Sequence, residues 1–141
     1  MSPKGLKKLV LIDTSIWIGF FSKTGYPQIK DHLKKLLDNN AVATAGPIVL
    51  ELLQGCRSPK ERRILREQLE GIHWLATEDQ HWFQAGEMAN DLRQKGITVS
   101  AIDALIATLA QAYRCQLMNL DQDYEHIAKH TDLSLFKIVS A

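Results

Sequence analysis

Leu9-Val10-Leu11-Ile12-Asp13-Thr14-Ser15 is the stretch that decides the fold. Four consecutive apolar residues show no polar alternation, so a strand built from them has two buried faces, as in a parallel sheet covered on both sides. Asp13 ends the run and is the only charge between Leu9 and Phe21. Ile16 to Phe21 continues as a short helix or turn.

The rest of the chain alternates helical and strand signals. Pro27 suits the first turn of a helix, and Ile29, Leu33, Leu36 and Leu37 follow at helical spacing until Asn39-Asn40. Ala41 to Ala45 is a short strand. A helix over Pro47 to Gln54 stops at Gly55. Ser58-Pro59-Lys60-Glu61 is a capping box opening a helix to Glu70, and Ile72 to Ala76 is a strand. Thr77-Glu78-Asp79-Gln80 reads as a second box, with a helix to Lys95 and a stop at Gly96. Ser100-Ala101-Ile102-Asp103 opens a strongly apolar helix to Tyr113. A strand over Gln116 to Leu120, a helix over Tyr124 to Lys129 and a last strand over Leu133 to Val139 complete the chain. The alternation predicts an α/β fold, one domain over residues 1–141 with a central, mostly parallel β-sheet flanked by α-helices. In such sheets ligands gather beyond the carboxyl ends of the strands.

Composition narrows the function classes. Hydrophobic residues make up 45% of the 141 and charged residues 23%, enough apolar material to exclude disorder. No apolar run approaches the ~20 residues of a membrane span. Cys56 and Cys115 are too few for a disulfide framework and fit no zinc spacing. No small-residue cleavage site follows the basic stretch from Met1 to Lys8, so a secretory leader is not expected and a cytoplasmic location is.

The informative carboxylates are those in apolar company. Glu51 is the only charge in Ile48-Val49-Leu50-Glu51-Leu52-Leu53, Asp103 is the only charge between Ile97 and Tyr113, and Asp121 follows Leu117-Met118-Asn119-Leu120. With Asp13 they make four. A buried carboxylate without compensation is costly, so four in one small domain predict a shared compensator. Each has a plainer reading. Asp13 can cap the segment after it, Glu51 can face solvent, Asp103 can close its box with Ser100, and Asp121 or, better placed, Asp123 can cap the last helix. Their coincidence at strand ends and helix starts points instead to a hard divalent cation, which takes oxygen ligands. His32, His73, His81, His126 and His130 are scattered, with surface or half-buried roles expected, so no nucleophile–histidine pair is supported.

Leu11-Ile12-Asp13-Thr14-Ser15, Val49-Leu50-Glu51-Leu52-Leu53-Gln54-Gly55, Ser100-Ala101-Ile102-Asp103-Ala104-Leu105-Ile106-Ala107 and Asn119-Leu120-Asp121-Gln122-Asp123-Tyr124 together resemble the PIN-domain ribonucleases, most closely the VapC-type toxins of bacterial toxin–antitoxin pairs. The resemblance covers nearly the whole chain in order. It implies an endoribonuclease dependent on Mg²⁺ or Mn²⁺, in which metal-activated water attacks phosphorus. It implies Asp13 and Asp103 as metal ligands, with Glu51 and Asp121 completing a catalytic acidic cluster directly or through water. Thr14 or Ser15 resembles the supporting hydroxyl beside the first Asp, Ser100 resembles a residue orienting the site, and Asp123 resembles a second acid of that segment. Gly46-Pro47 departs from the pattern, since Ser or Thr is expected before the Glu helix. The implied partners are RNA, a cognate antitoxin and a second copy of the chain, with no membrane. Ile29, Leu33, Ile64 and Leu65 are expected mostly in the chain's own core rather than against a partner. Trp17, Trp74 and Trp82 are expected in the core rather than stacked on bases.

Rivals fit less well. A receiver-type signalling domain wants an acidic pair after the first strand and Lys-Pro near the last, where this chain has Asp13-Thr14 and Lys137-Ile138. A haloacid-dehalogenase-type phosphohydrolase wants Asp-x-Asp there, where Ser15 stands. A catalytically inert PIN-like binding module is disfavoured by the intact acids. Finally, the formal net charge of +1 hides a division: residues 1–66 hold 12 basic and 5 acidic side chains, and residues 67–141 hold 5 and 11. Lys4, Lys7, Lys8, Lys34, Lys35, Arg57, Lys60, Arg62, Arg63 and Arg66 supply a basic surface on which some would meet phosphates.

Overall fold

The structure, a computed structural model, describes residues 8–138. Lys4, Lys7 and the expected strand end at Val139 lie outside the described residues. In chain order the elements are β1 (Val10–Ile12), α1 (Thr14–Phe21), α2 (Pro27–Asp38), β2 (Val42–Ala45), α3 (Gly46–Gln54), α4 (Pro59–Glu70), β3 (His73–Leu75), α5 (Asp79–Gln94), α6 (Ala101–Ala112), β4 (Gln116–Met118) and α7 (Gln122–His130).

The strands form one parallel sheet in the order β3-β2-β1-β4. Leu11 lies opposite Ala43 on one side and Leu117 on the other. The chain steps outward from β1 to β2 to β3, then returns to lay β4 on the free side of β1. The crevice beyond the ends of β1 and β4 is therefore a topological switch point, where open α/β sheets bind ligands.

The apolar run behaves as its pattern requires, with Val10, Leu11 and Ile12 all buried. α6 is the most enclosed helix: every residue from Ala104 to Ala110 is buried, and the helix packs against α5, α7, α3 and β4. Thr108 is tolerated there because its hydroxyl donates to the Ala104 carbonyl at 2.8 Å. Trp17 is buried, its ring stacked on Phe21 at 6.0 Å. Ile29, Leu33 and Leu65 join the core as expected, whereas Ile64 is 47% exposed. No helix among the described residues is long and apolar enough to cross a membrane.

The Ser caps hold, although neither box closes: Glu61 Oε2 accepts Arg57 N–H at 2.7 Å instead of Ser58 N–H, and Ser100 N–H goes to Asp123. Ser58 accepts from Glu61 N–H at 3.1 Å and Ser100 from Asp103 N–H at 3.0 Å, caps that each stabilise a helix by about 1 kcal/mol. Gly96, at φ +82°, takes the left-handed conformation just past α5.

Several expectations change. The box at Thr77–Gln80 does not form. Glu78 is the cap residue instead, and its N–H donates to Nδ1 of His81 at 3.0 Å. His81 is buried beside the Tyr113 ring, not at the surface, because it serves that turn from inside. The last strand shrinks to one bridge, Leu117 to Leu135, with Leu117 N–H donating to Ser134 O and Phe136 N–H to Leu117 O, both at 2.9 Å. In three-residue β4, Gln116 and Met118 turn their backbone groups to β1, which leaves Leu117 alone to pair outward. Trp74 and Trp82 are 51% and 58% exposed rather than core residues. Trp74 sits on edge strand β3 and is pinned by its indole N–H to the Leu69 carbonyl at 2.8 Å.

Candidate active site

The acids are best built outward from Asp13. Its backbone N–H donates to the Met118 carbonyl at 3.0 Å, which fixes it across the β1–β4 crevice. Its carboxylate caps α1: Oδ2 accepts from Ser15 N–H at 3.2 Å and from the Ser15 hydroxyl at 2.7 Å. Ser15 Oγ itself accepts from Leu120 N–H at 3.1 Å, tying the loop after β4 to the start of α1. Oδ1 of Asp13 accepts from the Tyr124 hydroxyl at 2.9 Å. The same hydroxyl lies 3.1 Å from Oδ1 of Asp103 in the first turn of α6.

Asp123 and Asp121 extend the cluster from α7. Asp123 shares a side-chain hydrogen bond with Asp103, and its Oδ2 accepts from Ser100 N–H at 3.5 Å. Asp121 caps α7 by accepting Asp123 N–H at 2.9 Å, and its own N–H donates to Asn119 Oδ1 at 3.1 Å. One carboxylate oxygen from each of Asp103, Asp121 and Asp123 lies within 4.8 Å of the others. Glu51 comes from α3 beside the cluster, where its Oε1 accepts the hydroxyl of Thr14, the neighbour of Asp13, at 2.9 Å.

Of the eight residues singled out in the sequence, seven gather at the ends of β1 and β4 and Glu51 joins them through Thr14, with three corrections. Only Asp13 is buried; Asp103 and Asp123 are half-buried, and Glu51 and Asp121 are exposed. Asp121, not Asp123, caps α7, because the turn closes from Asp121 onto Asp123 N–H. The two hydroxyls divide their work: Ser15 serves Asp13, and Thr14 serves Glu51. The capping roles are real for Asp13 and Asp121, while Asp103 does not close its box, because Ser100 N–H goes to Asp123 Oδ2 instead; capping does not require that the carboxylates converge. Ala45 precedes α3 without a side-chain cap, consistent with the departure at Gly46-Pro47.

Convergence has an electrostatic cost. Burial, chiefly, lifts Asp103 from 3.8 to about 7, and the hydrogen bond with Asp123 and the charges of Asp121 and Asp13 add to it against the lowering effect of Tyr124. Burial, followed by the two neighbouring carboxylates, pushes the Tyr124 phenol far above its usual range, so it is a neutral donor. The two ion pairs among the described residues, Lys35–Asp31 and Arg66–Glu70, involve none of these acids. An all-oxygen donor set with uncompensated negative charge suits a hard divalent cation.

Tyr124 is the residue that sequence reasoning passes over. In the sequence it reads only as a helix start, and its one signal is that a fully buried phenol needs a polar partner. Beside the acids, α1, α3 and α4 border an open groove of about 680 Å³, with Glu51 on one wall and Ile18, Phe21, Ile64 and Arg57 among the others.

Residues 10–130 match the PIN domain family, so the chain is a PIN-domain protein. The chain is 32% identical over 129 residues to the VapC ribonuclease Mb1587 of Mycobacterium bovis, covering 89% of this chain and 96% of that one. It is 30% identical over 108 residues to ribonuclease VapC21 of Mycobacterium tuberculosis, covering 74% and 78%. Within the PIN-domain class, it belongs to the VapC ribonuclease family. Among solved structures, VapBC2 from Rickettsia felis bound to a promoter DNA fragment superposes with a TM-score of 0.75 at 22% identity, covering 91% of this chain and 97% of that chain.

Proposed function

We propose that this protein is a Mg²⁺-dependent endoribonuclease and the toxin of a type II toxin–antitoxin pair, acting in the cytoplasm. The observation that carries the reading is the convergence of Asp13, Asp103, Asp121 and Asp123 at the switch point of a PIN-domain sheet. Family membership supports the ribonuclease activity.

In this reading Asp13 and Asp103 hold the cation, with Asp121, Asp123 and Glu51 on its open side. When bound, a divalent cation neutralises charge on the phosphodiester and eases deprotonation of water. The chain's own part is positional. Ser15 and Tyr124 occupy opposite oxygens of Asp13, and Ser100 sets the start of α6 so that Asp103 faces the crevice. Glu51, exposed and held by Thr14, is placed to accept a hydrogen bond from solvent water at the mouth of the site.

The partner is a cognate antitoxin, supported by the toxin–antitoxin complexes among the structural relatives. It docks in the groove beside Glu51, where Ile18, Phe21 and Ile64 are 61%, 45% and 47% exposed. The test is cleavage of RNA by purified protein. Activity is expected with Mg²⁺ or Mn²⁺, lost in chelator and lost in a folded Asp13→Asn/Asp103→Asn double variant. Wild-type rates from that variant would overturn the assignment, and labelling of an Asp by acetyl phosphate would favour a receiver.

A further inference from the structure

The Tyr124 hydroxyl stands where three elements meet: the end of β1, the first turn of α6 and the first turn of α7. It is wholly buried, and its partners are Oδ1 of Asp13 at 2.9 Å and Oδ1 of Asp103 at 3.1 Å. A phenol has one proton, so it donates to one carboxylate at a time while touching both. Asp13 is otherwise held from the opposite side, where Ser15 donates twice to Oδ2. Among the described residues no other side-chain donor reaches Oδ1 of Asp13. The ring fills the core whatever the hydroxyl does, so packing does not account for the oxygen.

We infer that Tyr124 is a positioning residue for the cation site: its hydroxyl clamps the Asp13 and Asp103 carboxylates at a fixed separation and raises their affinity for a divalent cation. The inference rests on the proposed cation site. It deepens that reading by assigning to α7 a member that ligates nothing. Donors behind ligating carboxylates fix orientation, and their loss costs about 10–100-fold in metal affinity.

The experiment is calorimetric titration of Mn²⁺ into the full-length wild-type protein and Tyr124→Phe, with circular dichroism and thermal melts of both in chelator. Tyr124→Phe is expected to keep its fold and to bind Mn²⁺ at least ~10-fold more weakly. Equal Mn²⁺ affinity in a folded variant overturns the inference. Absence of Mn²⁺ binding by the wild type overturns the cation site itself, which is a separate failure. Should Tyr124→Phe not fold, the wild type decides. With ¹³C-labelled tyrosine, the Tyr124 resonance is expected to shift with added Mg²⁺ on the binding isotherm while exposed Tyr26 stays put. An unmoved Tyr124 resonance overturns the proposal.

Discussion

The two sides of the acidic crevice are built differently. On the inner side, Asp13 is 6% exposed and receives three hydrogen bonds on its carboxylate, from Ser15 N–H, Ser15 Oγ and Tyr124. On the rim, Glu51 is exposed and receives one, from Thr14. Asp121, also exposed, spends an oxygen on capping its own helix. Inner carboxylates surrender hydration and are rigidly aimed; rim carboxylates stay hydrated and adjustable. Preorganised charge is worth most where water is excluded, so the inner pair should dominate catalysis and the rim should tune it.

The largest effect should come from the inner side. Asp13→Asn keeps a good cap for α1 but removes the charge, and RNA cleavage should fall on the order of 100-fold or more. Initial rates on a labelled RNA, with circular dichroism to check the fold, measure this. Glu51→Gln and Asp121→Asn should each lose less, roughly 10-fold. A rim variant as dead as Asp13→Asn would break the comparison.

The pH dependence of the metal-free protein sharpens it. The folded Asp103 carboxyl is raised from 3.8 to about 7. Its contribution to stability is therefore complete below its ordinary value and is lost as pH rises through about 7. Thermal melts in chelator should show stability falling from about pH 4 toward about pH 8 by a part that Asp103→Asn removes, leaving the variant the more stable of the two at about pH 8. Added Mg²⁺ should restore the wild type at that pH. The smallest effect is expected from the exposed arginines after α3 and on α4. Replacing exposed Arg57, Arg62 and Arg63 by Gln should weaken RNA binding a few-fold and lower the salt slope by about 0.7 for each phosphate no longer neutralised. Filter binding across a salt series reads it.

The inner side is also the more legible in sequence. Asp13 and Asp103 stand out because a lone charge in an apolar run must either be compensated or be exposed. The sheet follows from the unalternating Leu9–Ile12 run, and most helix ends follow from Ser, Pro and Gly signals. Glu51 misleads because its apolar neighbours do not all face the core: Leu50 is 65% exposed, and α3 borders an open groove. Burial cannot be read from neighbours when a helix has an apolar face turned to solvent. Tyr124 escapes for another reason. Its partner Asp13 is 111 residues away, and no local pattern reports so distant a hydrogen bond.

That distance has a consequence during synthesis. β1, the first strand among the described residues, completes its pairing only when β4 arrives, with Val10 opposite Gln116 and Ser15 bonded to Leu120. Closure over so long a loop comes late in folding. A nascent chain that has passed Asp103 but not reached Tyr124 already carries Asp13, Glu51 and Asp103, yet cannot hold them together. Closing the crevice therefore waits on β4 and the start of α7, which bring the Leu120 N–H to Ser15 and the Tyr124 hydroxyl to Asp13.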